Sequence, residues 1–175
     1  MSLPEVWLRG PVDGVPPLLM PVAHALLGAR EDIAAALAGL SPARVWEKPG
    51  GAASAGFHAR HAAGSLDRLL AYARGEALTE AQHAYLRAEQ DPGDPPETAE
   101  ALARRVHDAV EAALAQLRAT DVDTLLEARG VGRKRLPSTV LGLLFHAAEH
   151  TQRHVGQIVT TAKIVRALSS PGSNA

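Results

Sequence analysis

Apolar residues recur at three- and four-residue steps in four long stretches of the chain. In the first, Val22, Leu26, Ala29, Ile33, Leu37 and Leu40 form one stripe, the spacing of an amphipathic helix. It predicts a helix from about Pro17 to Gly39, with proline tolerated in the first turn and glycine near the stop. The second stretch predicts a helix over 55–74, capped by Ser54 and stopped by Gly75, with Leu66, Leu69 and Ala73 on its inward side. The third carries Leu102, Val106, Val110, Ala113 and Leu117 and predicts a helix over 97–118. The fourth runs from a cap at Ser138 or Thr139 through Val140 to Leu168. TEAQHAYLRAEQ, 79–90, reads as a short helix.

Between these stretches lie breaks rich in proline and glycine. LSPARVWEKPGGAAS, 40–54, and DPGDPP, 91–96, are connectors. ATDVDTLLEARGVGRKRLPS, 119–138, holds Gly130 and Gly132 inside a basic run, which suggests a tight turn or a small hairpin. Residues 1–16 read as an extended arm and 169–175 as a disordered tail. The pattern predicts an all-α protein, a four-helix bundle forming one domain over 1–168. The long connectors suit crossings of the bundle better than simple up-and-down neighbours.

Composition narrows the chemistry. The chain has 175 residues and a formal net charge of −1, which argues against a nucleic-acid surface. No apolar run reaches membrane-spanning length, and MSLPEVWLRG lacks a secretion-signal pattern. The expectation is a cytoplasmic protein with neither nucleic-acid nor membrane partners. There is no cysteine, so any metal must be held by His, Asp or Glu, and any thiol chemistry must use a sulfur from outside the chain.

The candidate chemistry sits in the fourth stretch, FHAAEHTQRHVGQI. His146, His150 and His154 follow one another at four-residue steps, but at about 100° per residue they do not share one direction. His150 and His154 fall on the apolar face with Val140, Leu143, Ala147 and Ile158. His146 lies at its edge, and Glu149 and Arg153 lie beyond it. Two imidazoles one turn apart suit a divalent ion. A third ligand must come from another helix, and His58 and His61 both sit near the inward border of the second. His24 falls opposite the first stripe, at the surface or an interface, and His83 and His107 read as solvated. Three histidines would leave a fourth coordination position open, as in catalytic rather than structural sites.

Two other motifs compete. HAAEH, 146–150, matches a zinc-protease pattern in which Glu149 would be the base. That pattern needs an acidic ligand downstream, and no Asp or Glu follows Glu149. A ferritin-like two-metal site needs several inward glutamates, and Glu111 is a lone candidate.

The order of these pieces resembles the DinB-like family of four-helix-bundle metalloenzymes and their thiol-transferase relatives. The matching segments are SAGFHARHAAGSLDRLLAYARG, 54–75, LLFHAAEHTQRHVGQI, 143–158, and the lead-in VWEKPGGAAS, 45–54. The resemblance implies an up-down-down-up bundle and a metal triad at His61, His150 and His154, with His58 as the alternative first ligand. His146 matches a histidine often present one turn earlier and is not carried over as a ligand. Gln157 matches a glutamine after the histidine pair, and its direction near that of His150 suggests a hydrogen bond that orients a ligand. Val155 departs from the family, which often has arginine there.

The resemblance further implies one divalent ion, zinc or nickel first and iron as a further candidate. It implies a low-molecular-weight thiol (mycothiol, bacillithiol or glutathione) as cosubstrate, an electrophilic small molecule as substrate, and a homodimer that could use Leu27, Ala34 and Ala38. Arg60, Arg68 and Arg153 stand as candidates to attract an acidic thiol, beside their reading as ordinary solvated arginines. The alternatives are a hydrolase using metal-bound water and a non-enzymatic metal-binding stress-response protein.

Overall fold

The computed structural model describes residues 3–168, so the expected tail lies outside the described residues. The chain is mainly helical with one small two-stranded sheet. The elements are α1 (Met20–Leu37), α2 (Pro42–Val45), α3 (Ala55–Ala73), α4 (Glu80–Ala88), α5 (Ala99–Ala119), β1 (Ala128–Val131), β2 (Leu136–Thr139) and α6 (Val140–Ala167).

Local chemistry sets the ends of these helices. The Ser54 side chain accepts from the amide of Phe57 and is itself fully buried, satisfying a backbone donor that the first turn cannot. At the other end of α3, Gly75 takes a positive φ of 80°. Its amide donates to Tyr72 O and that of Glu76 to Ala71 O, the paired bonds that close a helix around a left-handed residue. Thr79 and Gln82 form a reciprocal capping box on α4. Thr139 caps α6 through the amide of Gly142.

The four long helices are packed in pairs whose direction can be read from their contacts. His58 meets His154 and His61 meets His150, so α3 and α6 run antiparallel. Gln152 reaches Ala25 O and Arg166 reaches Ala36 O, so α1 and α6 run parallel. Gln116 donates to Leu70 O on α3, and Arg30 pairs with Glu111 on α5. The stripe of α1 is buried among Leu66, Leu102, Val106, Val110, Leu144 and Ile158. Small residues in α3, among them Ala55, Ala59 and Ala62 at 1% exposure or less, let helix backbones come close.

The basic run 128–139 is the hairpin: β1 and β2 pair antiparallel with Val131 opposite Leu136. Gly132 takes φ 66° in its turn, where a side chain would be strained. Residues near the N-terminus hold a 3-10 turn at Val6–Leu8 and lie along α1. Both guanidinium nitrogens of Arg9 grip Glu31, and His24 Nε2 lies 2.9 Å from Gly10 O. His24 therefore tethers the arm to α1. None of the described helices is long and apolar enough to cross a membrane.

Candidate metal centre

The antiparallel pairing of α3 and α6 brings histidines from both helices to one point. His61 Nε2 lies 3.1 Å from His150 Nε2, and His154 Nε2 lies 3.3 Å from the same atom. One donor atom from each of His61, His150 and His154 fits within 4.8 Å of the others. A tetrahedral ion with nitrogens about 2.0–2.1 Å away would set its donors about 3.3 Å apart. The observed separations suit that spacing, so this cluster could hold a metal ion.

The rings are held from behind by different partners. His61 Nδ1 is 2.7 Å from Glu89 Oε2. A carboxylate only accepts, so Nδ1 carries a proton, and in the neutral ring that leaves the Nε2 lone pair to the cluster. Glu89 is 3% exposed, and its other oxygen accepts from Arg68 Nη1 at 2.8 Å. Behind His154 stands His58, their Nδ1 atoms 3.1 Å apart. His150 Nδ1 is buried and has no hydrogen-bond partner. Phe57 stacks on His61 at 5.6 Å between centroids and packs edge-on to His58, covering that side with an apolar ring.

This environment disfavours the charged form of His58, His150 and His154. Burial, reinforced by His61, His150 and His58, pushes His154 down to about 3. Burial and then His61 also lower His150 and His58. Neutral imidazole is the form that binds metal, so at His150 and His154 no proton has to be displaced from the lone pair at neutral pH.

His61 is thus the α3 histidine in the cluster, and His58 stands one layer behind. His146 is half-exposed, its Nδ1 3.2 Å from Glu149 Oε2, and Glu149 also pairs with Arg153 on the outer side of α6. Glu111 is engaged by Arg30.

Two expectations are corrected. Gln157 is exposed and hydrogen-bonds to none of the histidines. It shares the angular direction of His150 but lies seven residues on, about 10 Å along the axis, too far for its amide to reach. The three arginines also differ from free rim cations. Arg60 is bound to Glu97 and lies over the Trp46 ring, Arg68 is buried against Glu89, and Arg153 holds Glu149.

Glu89 itself was missed by sequence reasoning. It ends a short polar helix with no apolar stripe, and the one available signal was a carboxylate 28 residues after His61 beside the DPGDPP break.

A hollow of about 180 Å³ adjoins Phe57, lined also by Lys48, Gly51, Ala52, Ala53 and Gln90. No described acid pairs with Lys48.

Comparison with known proteins agrees with this architecture. No curated protein matches the sequence. A family model described as the DinB superfamily matches residues 25–158, a span that runs from within α1 to past the middle of α6 and includes all three clustered histidines. The match covers most of the chain, which belongs to the DinB superfamily.

Proposed function

We propose that this protein is a metal-dependent enzyme that transfers a low-molecular-weight thiol to a small electrophile. The observation that carries the reading is the convergence of three imidazoles on one point, in a chain without cysteine. The triad is His61, His150 and His154, and the ion is zinc or nickel, with iron as a further candidate. A divalent ion with three protein ligands keeps a position open and lowers the pKa of a thiol or water that enters it.

The chain's own residues do the rest. Glu89 holds the proton of His61 on Nδ1, and His58 and His154 share one proton between their Nδ1 atoms. Phe57 shields the rings from water. We place the thiol in the hollow beside Phe57, where Lys48 can take the carboxylate of glutathione or bacillithiol or a hydroxyl of mycothiol. In the reaction, the S–H proton passes to solvent, a sulfur–carbon bond forms, and the leaving group departs with its bonding electrons.

The long helices are read as a four-helix bundle with an up-down-down-up path, supported by the parallel α1–α6 and antiparallel α3–α6 contacts. The protein is proposed to be a cytoplasmic homodimer.

The test is direct. The purified protein is analysed for metals, then assayed with monochlorobimane and each of mycothiol, bacillithiol and glutathione. The expected result is one bound ion and a conjugated bimane with release of chloride. Metal-loaded protein that conjugates none of the three thiols would sink the transferase reading and favour metal-bound water or a non-enzymatic role.

A further inference from the structure

The helix that supplies Glu89 is attached to the bundle unusually. α4 contains no buried residue. Its contacts with α3 are polar or aromatic: Gln82 Nε2 donates to Asp67 at 2.8 Å, Tyr85 donates to Arg60 O at 3.0 Å, and Arg60 Nη1 donates to Ala88 O at 3.0 Å. Between α3, α4 and α5 remains a cavity of about 340 Å³, lined by Gly64, Arg68, Gln82, Tyr85, Arg105 and Ala109 among others. An element anchored by one partly buried aromatic ring, Tyr85 against Gly64, gains little from burial and belongs to the low-stability end of a fold. The residue that ends it is the exception: Glu89, the C-cap of α4, is 3% exposed and spans Arg68 and His61.

We propose that Glu89 is a positioning residue that couples metal binding at the histidines to the docking of α4. A cation on the Nε2 side of His61 strengthens the donation of its Nδ1–H to Glu89, because withdrawal of charge through the ring makes that hydrogen more positive. By linkage, whatever ion binding gains from a docked Glu89, α4 docking gains from the ion. Release of the ion leaves α4 held by Arg68 and its three hydrogen bonds to α3. Arg68 pairs with the buried carboxylate whether or not an ion is bound. The inference rests on the metal reading of the cluster and is independent of thiol transfer.

The experiment measures hydrogen exchange of the 80–90 amides in the full chain, with zinc and with a chelator, and zinc affinity by competition. Zinc is expected to slow exchange across α4 in the wild type. Glu89→Gln is expected to weaken zinc binding about 10- to 100-fold and to abolish the zinc-dependent protection, with Glu89→Asp restoring part of both. His61→Ala should decouple α4 from zinc while Glu89 is intact. Exchange in wild-type α4 that is the same with zinc and chelator overturns the proposal, as does a Glu89→Gln protein that binds zinc as tightly as wild type or a wild type that takes up no zinc. If Glu89→Gln does not fold, the wild-type and His61→Ala comparisons decide. Zinc-dependent protection in a protein that conjugates no thiol would uphold this inference while removing the transferase reading.

Discussion

The Nδ1 atoms of His58 and His154 lie 3.1 Å apart in a buried contact, and two bare lone pairs cannot face each other at that distance. One ring must donate. If His154 offers Nε2 to an ion, its Nδ1 carries the proton and His58 accepts it. His58→Phe would leave that N–H without a partner. It is expected to lower zinc affinity about 10-fold while metal is still bound at high zinc, which a chelator titration reads out.

The three inner histidines should behave differently. His61→Ala, His150→Ala and His154→Ala are each expected to bring metal content after dialysis close to zero by elemental analysis. His146→Ala is expected to retain it, because that ring is half-exposed and turned to Glu149. Unchanged metal content in all three inner variants would show that the cluster is not the binding site.

Gly64 lies where α4 comes closest to α3. A Cβ there would stand 2.4 Å from the Tyr85 ring and 2.7 Å from Glu89 Oε1. Gly64→Ala is expected to push α4 outward and cost about 1–3 kcal/mol in urea unfolding. The same displacement should weaken zinc binding, although residue 64 touches no metal ligand in the cluster.

Acid should destabilise the metal-free protein. His154 is held down to about 3 in the folded chain by burial and by its neighbouring histidines, against about 6.5 unfolded. Below the unfolded value the unfolded chain binds the extra proton, so stability present above about pH 6.5 is lost as pH falls toward 3. The loss approaches about 1.4 kcal/mol per pH unit for one such group. His58 and His150 shift in the same direction and add to it. Thermal unfolding of chelator-treated protein between pH 7.5 and 5 checks this, and a flat profile would count against burial of these rings.

Much of this was legible because it is local. The stripe of α1, the cap at Ser54, the stop at Gly75 and the inward phase of His150 and His154 depend on residues within a few positions of one another. The hairpin was legible through Gly132 in its turn. What was not legible depends on contacts across the chain. Angular phase ignores distance along the axis, hence the misplaced Gln157. Exposure of an arginine depends on which acid folds against it, hence the roles of Arg60 and Arg68. Glu89 has no periodic signal, because its burial comes from where α4 lands rather than from a stripe on α4.

His61 and His150 are 89 residues apart in sequence, and with no cysteine in the chain no disulfide ties the helices that carry them. An ion held between them would act as a cross-link closing about half of the chain into one loop. In the chain-entropy account, closing a loop of that size restricts the unfolded state by about 4–5 kcal/mol. An unfolded chain keeps at most the adjacent pair His150 and His154 as a weak grip. A protein with no cysteine would thus possess the equivalent of a disulfide that a chelator, rather than a reductant, undoes.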